Sequence, residues 1–333
     1  GGGNMGGMDG QNGGNAPDMN GGSGGGRQSL AEAQFYPNDY DGIWASCPAI
    51  NWTQFLASGL WAVTVMNEYD HILGFHKINA FRDAVHNSVG GKENYFQVEE
   101  RIDFDPYTIL GQKTKGGKIT EKDCLVMQEI WKGPHTTGND FLWYSFLPGG
   151  TFWNKIIPIG SFYYPLIGKR PKCFSLVEQY VHLAFEDPKK DLLHLKIRDF
   201  EKVFDTCIRK LGWLSCDHAD LRPFANAGGK LIIDHGLDDP LIPVEGTIDY
   251  YHHMREIHGG QNFIDRFCRL YINPGDGHGN CHTNGPGMTE STGIQALMNW
   301  VEHNKAPENL PAVLVNQKTG KTIRKGIVKP WRV

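Results

Sequence analysis

The sequence predicts an α/β fold in which helices cover both faces of a doubly wound, mostly parallel sheet. Three observations support this. Apolar strand-like runs alternate with helical runs from residue 228 onward, the pattern of parallel strands joined by crossover helices. A short apolar run over 42–46 repeats the strand pattern near the N-terminus. A glycine-rich turn around Ser23 lies directly before a helical run, as at the junction of a strand and a helix.

The composition is typical of a globular protein with a substantial buried core. Of 333 residues, 40% are hydrophobic and 21% are charged, and the formal net charge is −4. This charge gives no polybasic surface, so we expect neither a nucleic-acid partner nor an anionic membrane partner. No apolar run reaches the roughly 18 residues that cross a bilayer. The seven cysteines are odd in number and form no close pairs, which argues against a dense disulfide framework.

The first part of the chain gives clear signals only as far as residue 69. Half of the first 26 residues are glycine, a composition typical of a flexible arm. The elements predicted after it are a helix over 27–36 that ends before Pro37, a buried strand over Gly42–Ser46 and an apolar-faced helix over 52–69.

The middle and the end of the chain differ in regularity. From about residue 77 to residue 221 the sequence is irregular and aromatic-rich, and it predicts mostly loops. The elements predicted beyond it are a strand over Lys230–Asp234, a helix over 244–258, a strand over 266–272, a loop over 273–287 and a helix over 290–304. The last 14 residues show no recognisable functional motif.

The stretch GGSGG, residues 21–25, matches the G-x-S-x-G pattern of a nucleophile elbow. In such an elbow the serine lies on a strained strand-to-helix turn, and the glycines relieve crowding. Ser23 is therefore the candidate nucleophile, and the backbone N–H of Gly24 is the candidate oxyanion donor at the helix N-terminus. A flexible linker or a phosphate-binding loop has a similar sequence. No G-K-[ST] follows, however, and residues 15–20 do not read as a strand leading into the turn.

Two polar loops supply the partners that a serine nucleophile needs. His278 follows the strand predicted over 266–272, and the acidic pair Asp238 and Asp239 follows the strand before it. Open α/β sheets place their sites at these carboxyl ends, and the order Ser, Asp, His is that of α/β-hydrolases. His278 is the candidate base, while Asp238, Asp239 and Asp276 are all candidate acids.

Three segments together resemble the tannase/feruloyl esterase family of α/β-hydrolases: GGSGGGRQSLAEAQFYPNDYDGIWASCPAINWT, ANAGGKLIIDHGLDDPLIPVEGTIDYY and NPGDGHGNCHTNGPG. The similarity runs from about residue 23 to about residue 304. It implies a serine esterase that acts on aromatic (phenolic) acid esters, with plant phenolic esters as small-molecule substrates. It selects Ser23, Asp239 and His278 as the catalytic triad, and it implies secretion and no cofactor.

The resemblance also divides the chain. Residues 1–60, with the glycine-rich segment and the elbow, and residues 222–333, with the acid and base, would form the hydrolase core. Residues 61–221 would form a lid insertion over the substrate. Aromatic side chains of such a lid suit an aryl group. The substrate-binding candidates are Trp143, Phe152, Trp153, Tyr163 and Tyr164.

Three departures from the family pattern lead to further expectations. Gly22 and Gly279 stand where the family has a cysteine before the nucleophile and another after the histidine, so the disulfide that joins those loops is missing. The family's calcium loop corresponds to residues 87–96, where the single carboxylate of Glu93 is too little for calcium, so no metal is expected. Only 22 residues precede Ser23, so we expect N-terminal strands of the fold to be missing from this chain.

Two other interpretations stay open. The lost disulfide and calcium loop also fit a catalytically impaired, hydrolase-like binding module. A metal site is the second alternative, since His278, Cys281 and His282 have ligand chemistry that Cys216 and His218 could supplement. Their spacing matches no structural zinc pattern, and His278 is better suited to the role of the base.

Overall fold

A computed structural model describes residues 18–89, 102–145, 147–150, 174–279, 285–316 and 318–332. The chain forms two compact units. The first unit contains the described residues up to Asn51 and from Ser215 onward, and the second contains the described residues from Trp52 to Leu214. Every helix in the described part of the chain is too short or too polar to cross a bilayer.

The regular elements are named here in chain order. The strands are β1 (Asp18–Gly22), β2 (Gly42–Ser46), β3 (Lys113–Thr114), β4 (Gly117–Lys118), β5 (Lys230–Gly236), β6 (Cys268–Asn273), β7 (Leu310–Val315) and β8 (Thr322–Val328). The α-helices are α1 (Gly24–Phe35), α2 (Trp52–Ser58), α3 (Trp61–Glu68), α4 (Phe75–Ser88), α5 (Glu121–Lys132), α6 (Ser175–Phe185), α7 (Ile197–Leu211), α8 (Arg222–Asn226), α9 (Val244–Ile257), α10 (Gln261–Ile264) and α11 (Glu290–His303).

The first unit is built on a parallel sheet with the strand order β1-β2-β5-β6. The register aligns the carboxyl ends of the strands: Gly22 pairs with Ser46, Ser46 with Asp234, and Asp234 with Tyr271. β2 and β6 are buried along their whole length, as is typical of parallel sheets. The loops that follow these strands therefore leave the sheet at one edge, where open α/β sheets place their sites.

Trp44 of β2 lies at the centre of the core between the sheet and α11. The buried cluster around it includes Ile232, Tyr271, Leu297 and Trp300. The Trp44 indole N–H donates to Asp234 Oδ1 at 2.7 Å, so the polar group of this large side chain is paired. This contact ties β2 to β5 directly below the edge from which the candidate loops emerge.

The second unit packs its helices around Trp61, the first residue of α3, which is 1% exposed. Its ring meets those of Phe200 and His135 edge-on, at centroid distances of 5.0 and 4.8 Å. The indole N–H donates to the Glu129 carbonyl oxygen at 3.0 Å. One side chain thus joins α3, α5, α7 and the segment after α5.

Several predicted elements are present, and some predictions are wrong. β2, β5, β6, α1, α9 and α11 lie within a few residues of their predicted positions. The sequence predicts no strand over 15–20, yet β1 begins at Asp18, because pairing with the buried strand β2 outweighs a weak strand propensity. With β1 present, the turn at Ser23 does follow a strand. The argument against a phosphate-binding loop therefore rests on the missing G-K-[ST] motif alone.

Two further predictions of local structure are corrected. The single helix predicted over 52–69 is two helices, α2 and α3, separated at Gly59, a poor helix former. The region over 77–221, predicted as mostly loops, contains most of α4 and all of α5 to α7 within its described part. One start signal was readable: Thr120 and Asp123 form a capping box at the start of α5. The C-terminal residues form the antiparallel pair β7 and β8.

Candidate active site

Ser23 lies on the tight turn between β1 and α1. Its backbone is in the left-handed region, with φ 58° and ψ −119°, which is uncommon for a residue other than glycine. Its N–H donates to the Ser46 carbonyl oxygen at 3.0 Å, and its carbonyl oxygen accepts from Ala49 N at 3.1 Å. The Ser23 side chain does not cap α1. The turn therefore has the geometry of a nucleophile elbow, held by backbone contacts to the end of β2.

Two glycines allow the close approach that this turn requires. A Cβ on Gly21 would come within 2.4 Å of the Gly25 carbonyl oxygen, and a Cβ on Gly26 within 2.8 Å of the Ser46 carbonyl oxygen. Gly25, the second glycine of the motif, has open space where its Cβ would stand. The crowding is thus relieved at Gly21 and Gly26 rather than at Gly21 and Gly25.

Gly24, the candidate oxyanion donor, is the first residue of α1. The N–H groups of the first helical turn have no intrahelical acceptor, and they carry the positive end of the helix dipole. This position therefore suits the stabilisation of negative charge beside Ser23.

Asp239 lies in the turn after β5, with its side chain fully buried. Oδ1 accepts from the backbone N–H groups of Leu241 and Ile242 at 2.8 and 2.9 Å. Oδ2 lies 2.8 Å from His278 Nδ1 and 3.0 Å from His235 Nε2. Burial raises the pKa of this carboxyl, but the charge of His278 and the hydrogen bonds from both histidines outweigh burial and hold the pKa well below its ordinary value.

His278 lies in the loop that begins after β6 and is partly exposed, with 23% of its side chain accessible. Because Asp239 Oδ2 is an acceptor, Nδ1 carries the proton of this contact, and Nε2 is left as the basic nitrogen. Burial lowers the pKa of His278, but the charge and hydrogen bond of Asp239, together with the charge of Asp276, raise it above its ordinary value.

The two rival acids are placed differently. Asp276 is buried, and its Oδ1 accepts from the adjacent Gly277 N–H at 3.2 Å. Burial, with the nearby charges of Asp234 and Asp239, raises the pKa of Asp276 well above its ordinary value. Asp238 lies beside Asp276 through a backbone contact, its N–H donating to the Asp276 carbonyl oxygen at 3.0 Å. The structure pairs Asp239 with the His278 imidazole.

The sequence analysis missed two residues at this site. His235, near the end of β5, contacts Asp239, and Cys47, directly after β2, is a buried free thiol. The Cys47 Sγ, a carboxylate oxygen of Asp239 and a ring nitrogen of His278 all lie within 4.8 Å of one another. Burial raises the pKa of Cys47 strongly, as do the charges of Asp239 and Asp234, although hydrogen bonds from Ser23 and Ser46 oppose this. The available signal was position, because both residues lie where a strand ends at the carboxyl edge of the sheet.

Comparison with known proteins agrees with this geometry. A family model described as "Tannase and feruloyl esterase" matches residues 15–140 and 169–331. The chain belongs to the tannase and feruloyl esterase family. Its resemblance to this family, expected from three sequence segments, is thereby confirmed.

Relatives and solved structures in this family extend the comparison. A probable feruloyl esterase of Arthroderma benhamiae is 30% identical over 310 residues, which cover 87% of this chain and 55% of that protein. Feruloyl esterase C of Talaromyces stipitatus is 24% identical over 307 residues, which cover 85% of this chain and 55% of that protein. The chain thus spans about half the length of these curated relatives.

The fold is also that of solved family structures. Feruloyl esterase B from Aspergillus oryzae superposes with a TM-score of 0.76 at 19% identity, over 94% of this chain and 64% of that one. A tannin acyl hydrolase from Aspergillus niger superposes with a TM-score of 0.76 at 23% identity, over 94% of this chain and 61% of that one. The predicted α/β-hydrolase fold, with its mostly parallel sheet, is therefore confirmed.

Gly279, one of the two glycines at which the sequence resemblance implied a cysteine, lies close to Cys47. Gly279 has φ +60°, and a Cβ built on it would lie 3.6 Å from Cys47 Sγ. A free thiol from the end of β2 therefore lies against the loop of His278 in this member of the tannase and feruloyl esterase family.

The substrate-binding candidates are only partly within the described residues. Trp143 is half-buried in the second unit, where its ring lies 5.2 Å from that of Tyr144 and 6.4 Å from that of Phe141. Phe141 is 59% exposed, so this aromatic cluster is accessible. The other four candidates, Phe152, Trp153, Tyr163 and Tyr164, lie outside the described residues.

The residues considered for metals are also divided. Of the stretch corresponding to the family's calcium loop, Asn87 lies at the end of α4, and Gly90, Glu93 and Asn94 lie outside the described residues. Of the alternative metal site, Cys281 and His282 lie outside them as well, Cys216 is buried, and the His218 ring stacks on Phe35 at 6.4 Å. The expectation that no metal or cofactor is needed stays a prediction.

Proposed function

We propose that this protein is a serine carboxylic-ester hydrolase that acts on esters of phenolic acids. The observation that carries the proposal is the 2.8 Å contact between His278 Nδ1 and the buried Asp239 Oδ2. It lies at the carboxyl edge of the sheet, and the same edge presents Ser23 on a strained strand-to-helix turn. These are the three parts of a Ser-His-Asp mechanism, in the chain order of α/β-hydrolases.

Each residue has a defined role in the proposed reaction. Ser23 Oγ attacks the ester carbonyl carbon while His278 Nε2 accepts its proton. Asp239 keeps the proton on Nδ1 and stabilises the imidazolium that forms. The Gly24 N–H donates to the oxyanion of the tetrahedral intermediate. The imidazolium then protonates the leaving alcohol, and water, deprotonated by His278, hydrolyses the acyl-enzyme in the same way.

The family relation and the second unit support the substrate class. Relatives are named feruloyl esterases, and a structural neighbour is named a tannin acyl hydrolase. We propose that the second unit corresponds to the lid predicted over 61–221. Its accessible rings at Phe141, Trp143 and Tyr144 suit stacking on an aromatic acid. Because these names include both feruloyl esterases and a tannin acyl hydrolase, the assay below compares both substrate types.

The test is hydrolysis of methyl ferulate, methyl gallate and an aliphatic ester of similar size by the wild type and three variants. Ser23→Ala should lose several orders of magnitude in kcat, and Asp239→Asn about four. Asp238→Asn, with its substitution beside the proposed acid, is the matched control and should retain activity. Melting temperatures verify that each variant is folded.

The outcomes separate the competing interpretations. The proposal requires that both aryl esters are better substrates than the aliphatic ester. Activity that survives Ser23→Ala would contradict the serine mechanism. Absence of hydrolysis by the folded wild type, together with saturable binding of the aryl esters, would favour the binding-module interpretation.

A further inference from the structure

His235 is a buried histidine that the proposed mechanism does not use. It lies near the end of β5, and its side chain is 0% exposed. Nδ1 lies 2.8 Å from Thr247 Oγ1. Nε2 lies 3.0 Å from Asp239 Oδ2 and 3.1 Å from the Ile242 carbonyl oxygen. Both ring nitrogens are therefore paired, and one of them is paired with the proposed catalytic acid.

The partners of His235 fix its tautomer. An ionised carboxylate and a backbone carbonyl oxygen can only accept hydrogen bonds, so Nε2 carries a proton that it shares between Asp239 and Ile242. In the neutral ring Nδ1 is an acceptor, and the Thr247 hydroxyl can donate to it. Thr247 therefore favours the tautomer in which His235 donates to Asp239.

We propose that His235 is a positioning residue. It donates a hydrogen bond to Asp239 Oδ2 and holds this oxygen in place, so that the carboxylate charge is shared between His235 and His278. This inference rests on the proposed serine-esterase function. Oδ1 is held by two backbone N–H groups, and Oδ2 accepts from both histidines. His278 carries the proton to and from the substrate, whereas His235 is enclosed in the core. His235 thus keeps the carboxylate oriented through each proton transfer.

Because both histidines donate to Asp239 Oδ2, the proposed role predicts in which direction the pKa of His278 changes when His235 is replaced. A donor to Oδ2 spreads the carboxylate charge and weakens its attraction for the His278 imidazolium. Without that donor, the pKa of His278 moves further upward. Among the residues that the structure describes, the titratable groups that face His278 are Asp239, Asp276 and Cys47, and a substitution at His235 leaves all three in place. The base must be neutral to accept a proton, so kcat/KM falls on the acid side of its pH profile as His278 becomes protonated. This acid limb of the profile then moves to higher pH.

The test uses two substitutions that separate the ring nitrogens. His235→Asn keeps a polar group near the position of Nδ1, toward Thr247, and removes the donor to Asp239. His235→Gln places an amide near the position of Nε2, from which it can donate to Asp239. We expect His235→Asn to lower kcat by about ten- to a hundredfold, the size of one hydrogen bond to a charged group, and to move the acid limb upward. His235→Gln should restore most of kcat and the wild-type acid limb.

A stability control separates positioning from packing. Ile264→Ala opens a cavity at a fully buried position of α10, so it should lower the melting temperature and leave the acid limb in place. The inference is overturned if His235→Asn keeps the wild-type acid limb, or if both His235 variants lose activity only in proportion to their melting temperatures. Ser23→Ala distinguishes the two proposals: an active Ser23→Ala refutes the serine mechanism. An inactive Ser23→Ala beside a normal His235→Asn refutes only the role of His235.

Discussion

Gly26, in the first turn of α1, marks the close approach between this helix and the end of β2. A Cβ on Gly26 would lie 2.8 Å from the Ser46 carbonyl oxygen and 2.9 Å from Pro48 Cα. Both are backbone atoms and cannot rotate away, so Gly26→Ala must displace α1. Ser23 N–H donates to the same Ser46 carbonyl oxygen, and the displacement therefore also moves the proposed nucleophile.

Gly25 offers a matched control, because nothing lies within 4 Å of a Cβ built on it. Alanine is better than glycine within a helix by about 0.8–1 kcal/mol, so Gly25→Ala should raise the free energy of unfolding by up to about 1 kcal/mol. At Gly26 the same gain is opposed by overpacking that costs about 1–3 kcal/mol. The net effect of Gly26→Ala therefore lies between about zero and a loss of about 2 kcal/mol. Because two backbone atoms lie within 3 Å of the new Cβ, we expect a loss in the upper part of this range.

Thermal unfolding of the two variants measures the difference. A change of 1 kcal/mol shifts the melting temperature by roughly 2–4 °C for a unit of 150–250 residues. Gly26→Ala should therefore melt several degrees below wild type, with a lower kcat because Ser23 is displaced, and Gly25→Ala should melt at or above wild type. Equal melting temperatures for both variants would refute the argument that this close approach positions the elbow.

Three further predictions concern charges and buried polar groups. Asp239→Asn removes the charge that raises the pKa of His278, so the acid limb of its residual kcat/KM should move to lower pH in a pH–rate profile. Burial raises the pKa of Asp123, but hydrogen bonds from Lys77, from His71 and from the N-cap of α5 outweigh it, and the net pKa is lowered. Because the folded-state pKa lies below the unfolded one, this stabilisation is present above the unfolded pKa of about 4 and is lost as the pH falls through the folded pKa. Asp123→Asn should therefore cost about 3 kcal/mol in urea unfolding at neutral pH, and less in acid. Trp44→Phe removes an N–H that donates to a buried carboxylate and should cost about 1–3 kcal/mol in the same assay, whereas an unchanged midpoint would contradict the assigned hydrogen bond.

Much of the sheet could be predicted because most of its strands are recognisable from their own residues alone. β2, β5 and β6 are apolar runs of strand length, and their burial in a parallel sheet explains why they lack alternation. β1 could not be predicted, since Asp18–Gly22 is polar and glycine-rich and forms a strand only by pairing with β2. Its strand conformation is set by tertiary context rather than by local propensity.

The candidate site shows the same division. Chain order and strand ends indicate a serine, an acid and a histidine, but they do not distinguish Asp239 from Asp238. That choice came from family resemblance, and the 2.8 Å contact with His278 gives it a physical basis. Cys47 and His235 were missed because their significance lies in contacts that the sequence does not encode locally. Cys47 meets the loop of His278 across the sheet, and His235 looks like any polar residue at the end of a strand.

The most direct test of the central claim is the intact mass of the folded protein before and after treatment with a fluorophosphonate probe, followed by peptide mapping. This probe forms a stable adduct only with a serine that a neighbouring base activates. The proposed triad predicts a single adduct on Ser23, its absence in Ser23→Ala and strongly slowed labelling in Asp239→Asn. An adduct on another residue, or none on the folded wild-type protein, would contradict the assignment of Ser23 as the nucleophile.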